Sequence, residues 1–390
     1  MREGGAGVGV LENYTDVGRR RMRCGYTTGT CAAAAARAAA EFLFTKEWPE
    51  AVVVETPAGI AVRAEIEETG ASAEAAWCAV RKDGGDDIDA TDGMLIFCEV
   101  VLREEPGVRI LGGEGIGRVT KPGLDQPVNE AAINRTPRQM IREQLQIAAD
   151  RFGYKGGFRV TVFAPEGAAR AQHTYNPVLG VKGGISILGT SGIVRPMSEQ
   201  AIVDTIRAEI RVRAAEGLHG LILTPGNIGA NYTESLSLDK THAAECSNHI
   251  GEAIDFAALE GFRSVLLIGH AGKLVKVASG VMNTHSRYAD CRMETLSAHA
   301  ALCGASKETI AGIMACVAVD EAISILEKAN LREAVIASVM EKMEEHLKRR
   351  AGPDIEIGAV MFTEKYGLLG KTGEADALLR RHLTIEEETE

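Results

Sequence analysis

Residues 265–300 read VLLIGHAGKLVKVASGVMNTHSRYADCRMETLSAHA. The run opens as an uninterrupted apolar strand, 265–268, turns at Gly269, and then delivers His270, Lys273, Lys276, Asn283, Thr284, His285, Ser286, Arg287, Asp290 and Arg292. A wholly apolar strand is the mark of a sheet buried on both faces. In such a sheet ligands bind in the crevice beyond the carboxyl ends of the strands, so the polar burst after Gly269 predicts a site.

The same order occurs twice more upstream. GISILGTSGIVRPMSEQAIVDTIRAEIRVRAA gives a strand at 185–188, a loop of Gly189, Thr190, Ser191 and Gly192, and a helix from Ser198; GLILTPGNIGANY gives a strand at 221–223 followed by Pro225, Gly226, Asn227 and Gly229. Three strand-loop-helix units predict a parallel sheet with helices on both faces. Their loops should emerge on one edge, making Thr190, Ser191, Asn227 and His270 neighbours. From residue 293 to about 351 the pattern is helical, with breaks at Gly304 and Ala329-Asn330, and a last strand is expected over 355–361.

The first half has a different rhythm. GYTTGTCAAAAARAAA, residues 25–40, sets Thr27, Thr28 and Thr30 at the start of an alanine-rich helix, where hydroxyls and unpaired amides favour an anion. AVVVETPAGIAVRAEIEE predicts two strands around a turn at 57–59, and further strands fall at 75–80, 94–102 and 158–163, with a helix from Thr136-Pro137 to about 152. The acidic loop KDGGDDIDATDG between two of these strands lacks EF-hand spacing and reads as a solvated turn, with Asp86, Asp87 and Asp89 kept as contacts to a polar substrate. In the glycine-rich run at 111–124 the glycines are followed by Pro122 rather than directly by a helix, which disfavours a dinucleotide loop. The predicted class is therefore an α+β N-terminal domain followed by a Rossmann-like α/β domain with a parallel sheet. Its divisions are a polar arm over 1–22, the α+β domain over 23–184, the α/β domain with a helical C-terminal part over 185–380, and an acidic tail over 381–390.

Bulk properties narrow the function. A net charge of −11 over 390 residues argues against nucleic acid as the main partner, since that needs a broad basic face, and leaves room for local basic pockets. No apolar run reaches membrane-spanning length and no signal-peptide core is present, so a cytoplasmic chain is expected. The 8 cysteines contain no CxxC pair and predict buried thiols. His242, Cys246 and His249 would share one helical face, but a helix boundary near Asn248 breaks that register, and no protein-bound metal is assigned.

Several stretches together resemble the cobalt-precorrin-5B C1-methyltransferase family: residues 25–40, 164–198 (APEGAARAQHTYNPVLGVKGGISILGTSGIVRPMS), 224–232 (TPGNIGANY) and 268–290 (IGHAGKLVKVASGVMNTHSRYAD). The resemblance runs in order over most of the chain. It implies methyl transfer from the cosubstrate S-adenosyl-L-methionine to C-1 of cobalt-precorrin-5B, giving cobalt-precorrin-6A in the anaerobic route to cobalamin, with cobalt present only as part of the substrate. It also implies an N-terminal domain related to a permuted ribosomal-protein-like module and a Rossmann-like C-terminal domain. No catalytic residue is carried over from the family.

Methyl transfer asks for in-line positioning and exclusion of water, which glycine-rich walls can supply. For the carboxylates of a corrinoid, the expected partners are Arg195, Lys273, Lys276, Arg287 and Arg292, with the helix start at Thr27, Thr28 and Thr30. The cofactor is expected on Gly189, Thr190, Ser191 and Gly192, or on Gly226, Asn227, Gly229 and Asn231; Asn227, Asn231 or Glu234 would meet its ribose. His270, His285 and Asp290 are the candidate acid/base or orienting groups. Two alternatives stay open: a non-catalytic tetrapyrrole or cobalt carrier using His242 and His249, and a phosphate-handling enzyme suggested by GHAGK, although the P-loop spacing is missing. The expected partner is a small corrinoid, with no nucleic acid or membrane; charge does not decide whether the chain forms a homo-oligomer.

Overall fold

The computed structural model describes residues 11–383; residues 1–10 of the expected arm and 384–390 of the expected tail, including Glu386, Glu387 and Glu388, lie outside the described residues. The chain is mixed α/β and forms two compact units, Met1–Glu199 and Gln200–Glu390.

In the first unit the alanine-rich run becomes the helix Thr28–Thr45, with Thr27 as its N-cap. Its alanines at 32–36 and 38–40 are fully buried, and the missing side-chain bulk lets the helix lie close to both its sheet and the helix Arg135–Phe152. Gly29 shows how close: a Cβ there would meet Pro137 Cγ at 2.8 Å. The sheet runs Glu67–Ala71, Ala75–Arg81, Leu95–Arg103, Gly157–Phe163, Gly107–Gly112, antiparallel except for the last pair. The predicted hairpin is present as Ala51–Glu55 and Ala61–Glu65. In the described part of the arm, Tyr14–Val17 and Arg20–Arg23 pair as an antiparallel hairpin.

In the second unit Ala243–Glu245, Gly220–Thr224, Ser264–His270 and Glu356–Thr363 lie parallel in that order, and Gly367–Lys371 closes the edge antiparallel. Both faces are covered, as the unbroken apolar strands require. Leu221, Leu223, Val265, Leu267, Ile357, Ala359 and Met361 face the core built with the long C-terminal helices. Ile222, Leu266, Ile268, Val360 and Phe362 face the opposite layer. The first strand of this unit in sequence, Gly220–Thr224, lies between the second and the third. The helix Asn227–Ser235 accordingly packs on one face and Ala271–Val277 on the other, which opens a crevice between the two strand ends.

One expected strand is elsewhere. Residues 185–188 belong to the first unit, where Ile185 and Ile187 bridge Ile116 and Ile133 and are buried in that core. Ile193–Val194 then pairs with Gly25–Tyr26. The chain divides at Glu199/Gln200 because this whole segment is stitched to the first unit, and the strand-loop-helix reading of 185–215 spans the division. Thr190 and Ser191 are therefore not on the sheet edge that carries Asn227 and His270.

The end of the second unit is anchored by His382, which is 2% exposed. Its carbonyl accepts from the Asp239 amide at 2.9 Å, its Nδ1 lies 3.1 Å from His242 Nδ1, and its Nε2 has no partner among the described residues. Burial, reinforced by His242 and Arg381 and opposed by Asp239, pushes its pKa down from 6.5 to about 4. The neutral ring is thus the folded form, and its contribution is complete above 6.5 and lost as pH falls toward 4. Thermal melts should show this as a loss of up to about 3 kcal/mol across that window. His382→Leu should remove most of that pH dependence, and an unchanged slope would refute the assignment.

Candidate functional site

The crevice is assembled by register. Thr224 and Glu245 are direct partners in neighbouring parallel strands, so Pro225, Gly226 and the Glu245 side chain emerge side by side. Gly226 has φ 102, a backbone region that favours glycine, and caps the helix Asn227–Ser235 without a side-chain bond. The Asn227 and Ile228 amides begin that helix and have no carbonyl one turn before them. Gly229 lets the helix sit on the neighbouring strand, since a Cβ there would meet Ile268 O at 2.9 Å.

Lys273 holds the two loops together. Its Nζ donates to Pro225 O at 2.9 Å and to Ser247 O at 3.2 Å. Ser247, at φ 51, is a non-glycine residue in the left-handed region, and the ammonium fixes its carbonyl. Burial lowers the Lys273 pKa and raises that of Glu245, while each charge opposes the other's shift. A Cβ at Gly226 would stand 3.6 Å from Lys273 Nζ and 3.9 Å from Glu245 Oε1, so the glycine keeps open a space that both groups border. Glu245 donates its amide to Glu209 Oε2 at 3.2 Å, while its half-buried carboxylate accepts no hydrogen bond from the described residues. Sequence reasoning missed Glu245 because Ala243–Glu245 is too short to show a period. The available signal was an acid about twenty residues after the first glycine turn.

His270 ends the Ser264–His270 strand on the same edge. Its Nδ1 accepts from the Gly272 amide at 3.0 Å, which puts the proton of the neutral ring on Nε2. The other expected residues of this unit are engaged locally. Lys276, 4% exposed, donates to Thr284 O at 3.0 Å and Ala289 O at 2.9 Å, so it clamps a loop rather than offering a surface cation. Asp290 takes two bonds from Arg292 at 2.6 and 2.8 Å, and that bonding holds its carboxyl below the usual range. His285 Nδ1 accepts from the Arg287 amide at 3.0 Å, and both residues are exposed, as are Asn227 and Asn231.

In the first unit the threonines face inward. Thr30 Oγ1 donates to Gly192 O at 2.7 Å, the Leu188 amide donates to Thr28 Oγ1 at 3.0 Å, and Thr27 Oγ1 accepts from the Thr30 amide at 3.3 Å. Gly29 N and Thr27 N are taken by Leu188 O and Gly192 O. The helix start is thus closed by the 188–192 loop, with Gly189 against Thr27 and Gly192 against Thr56. Thr190 and Arg195 are exposed, and Ser191 Oγ donates to Ile193 O at 2.9 Å. The acidic loop is equally self-contained. Asp83 pairs with Arg23, Asp89 with the 2%-exposed Lys82 at 2.8 Å, Asp87 takes the Met197 amide at 2.9 Å, and Asp86 the Arg23 amide at 2.6 Å.

His242, Cys246 and His249 fall in a 3₁₀ turn, after a strand and before a helix, so the shared helical face does not form. His249 Nδ1 lies 3.3 Å from Glu252, burial pushes the Cys246 thiol up to about 12, and the described residues hold no cluster of three metal-ligating side chains. GHAGK spans the end of a strand and a seven-residue helix whose lysine donates to protein carbonyls, which removes the basis for the phosphate reading. Replacing Lys276 by Met would leave two inward carbonyls unpaired. We expect a loss of about 3 kcal/mol in denaturant unfolding for Lys276→Met.

The CbiD family model matches residues 15–196 and the CbiD C-terminal-domain model residues 283–373. A cobalt-precorrin-5B C(1)-methyltransferase from Ruminiclostridium cellulolyticum is 48% identical over 355 residues, covering 91% of this chain and 92% of that one. The protein of the same name from Photorhabdus laumondii is 41% identical, covering 90% and 93%. The one from Alkaliphilus metalliredigens is 36% identical, covering 95% and 97%. A crystal structure of the cobalamin biosynthesis protein cbiD from Archaeoglobus fulgidus is similar at 30% identity over 72% of this chain and 87% of that one, with a TM-score of 0.38. With relatives matched along nine-tenths of its length, the chain belongs to the CbiD family of cobalt-precorrin-5B C(1)-methyltransferases.

Proposed function

We propose that the chain transfers the methyl group of S-adenosyl-L-methionine to C-1 of cobalt-precorrin-5B, and that the crevice between the Gly220–Thr224 and Ser264–His270 strand ends holds the donor. The observation that carries the activity is the 48% identity to a named methyltransferase over 91% of the chain. What supports the donor site is the Gly226 turn at a point where the strand order reverses, the usual ligand position in doubly wound sheets. The finer reading of the fold goes with it: an α+β first unit and a Rossmann-like second unit. A cytoplasmic enzyme whose partner is the small corrinoid is the corresponding setting; no helix among the described residues is long and apolar enough to cross a membrane.

When bound, S-adenosylmethionine supplies an electrophilic methyl on a sulfonium. The residues of this chain do the positioning. Gly226 leaves the space that a side chain would fill, the Asn227 and Ile228 amides present a partial positive charge to the donor's carboxylate, and His270 can donate through Nε2. Arg195, exposed in the first unit, remains a guanidinium expected to meet substrate carboxylates. Lys273 acts one step back, by fixing the loop that carries Gly226.

Incubating pure protein with methyl-labelled S-adenosylmethionine and cobalt-precorrin-5B should place one labelled methyl on C-1. Tight corrinoid binding with no label transfer would instead favour the carrier reading. Gly226→Val, which forces a β-branched residue into the left-handed region, should weaken S-adenosylhomocysteine binding by at least about tenfold in calorimetry.

A further inference from the structure

We infer that Glu245 is the ribose anchor of this crevice, its carboxylate accepting both hydroxyls of the donor's 2′,3′-diol. This deepens the donor-site reading given above and rests on it. Three observations converge on the assignment. Glu245 ends the strand paired in register with Thr224, beside the first glycine turn. Its Oε1 lies 3.9 Å from the point a Gly226 side chain would occupy, so the carboxylate borders the space the glycine leaves open. It is half-buried, yet no donor among the described residues satisfies it, and the nearby Lys273 ammonium spends hydrogen bonds on Pro225 O and Ser247 O.

An ionised carboxylate in that setting loses part of its water, and apart from the attraction of Lys273 nothing replaces the lost hydrogen bonds until a ligand brings donors. A vicinal diol offers two O–H groups at the spacing of the two carboxylate oxygens, and an acid at the tip of the second strand is where doubly wound folds meet a ribose. Glu209 strengthens the placement, since it holds the Glu245 amide at 3.2 Å and so fixes the strand tip. Glu245 is a binding and specificity residue, distinct from Asn227, Asn231 and Glu234 on the following helix.

The test is calorimetric, on the full chain, with S-adenosylhomocysteine, its 2′-deoxy analogue and 5′-methylthioadenosine as probes. Wild type should bind the 2′-deoxy analogue roughly ten- to a hundredfold more weakly than S-adenosylhomocysteine. Glu245→Gln should lose most of that discrimination and weaken methylthioadenosine, which has the diol but no amino-acid group, by a similar factor. Its melting temperature should stay near the wild-type value, because no protein hydrogen bond to the carboxylate is lost and only its longer-range attraction to Lys273 goes. If wild type binds none of the probes, the donor-site reading fails and this inference with it. If wild type binds and discriminates but Glu245→Gln discriminates equally, the crevice stands and the role of Glu245 is overturned. Undiminished methylthioadenosine binding by the variant would also overturn it, by assigning the carboxylate to the donor's ammonium.

Discussion

A lysine ammonium taken out of water must find acceptors, and where it finds them fixes the shape around it. Lys273 meets that demand with two carbonyls from two different loops, Pro225 O and Ser247 O. Each charge-assisted bond of this kind stabilises by about 1.5–3 kcal/mol, enough to hold Ser247 in the left-handed region and Gly226 at its extended turn. The loops after the first two strands of the second unit are therefore one body with respect to the crevice. Glu245, Gly226 and the start of the Asn227–Ser235 helix take their positions from that clasp. The helix carrying Lys273 begins at His270, so the third strand is drawn into the same arrangement.

The first unit meets the same requirement with hydroxyls and short acids. Thr27, Thr28 and Thr30 look in sequence like an anion cradle, and in the fold their groups satisfy the 188–192 loop and one another. The aspartates of residues 83–92 look like a cation site, and in the fold they accept from backbone amides, Arg23 and Lys82. Where Gly25 crosses Gly85 the backbones are so close that a Cβ on Gly25 would fall 2.2 Å from Asp83 O. Such crossings leave polar side chains no role except to pair what the crossing buries. Polar density along a sequence therefore marks either a ligand site or a tight backbone crossing, and local pattern does not separate the two.

That ambiguity explains which parts were legible. Periodicity revealed the Ala51–Glu55 and Ala61–Glu65 hairpin, the Arg135–Phe152 helix, the buried Ser264–His270 strand and the helical C-terminal part, because each repeats its own signal over several residues. Residues 185–194 were misread because strand, glycine loop and helix followed one another in the right order, although Ile185, Ile187 and Ile193 pair with segments far away in sequence. Gly226 and His270 lie, as the sequence pattern placed them, just beyond or at the end of the strands Gly220–Thr224 and Ser264–His270. Glu245 escaped because its strand has only 3 residues, and its meaning comes from lying beside Thr224, a relation that only the sheet creates.

The position of that carboxylate also fits the energetics of the reaction. Methyl transfer from a sulfonium removes positive charge from sulfur as the transition state forms, so an anion beside the sulfur would stabilise the reactant more than the transition state. An acid meeting the ribose diol acts several bonds from the sulfur. It contributes affinity and orientation through groups whose charge does not change during transfer, which is uniform binding. The acceleration must then come from alignment of the methyl with C-1 and exclusion of water. A chain of net charge −11 does not attract an anionic substrate through its overall field, so the proposed reading places that task on local cations. On the proposed assignment, selectivity for the donor and selectivity for the corrinoid rest on different residues, and substitution should separate the two.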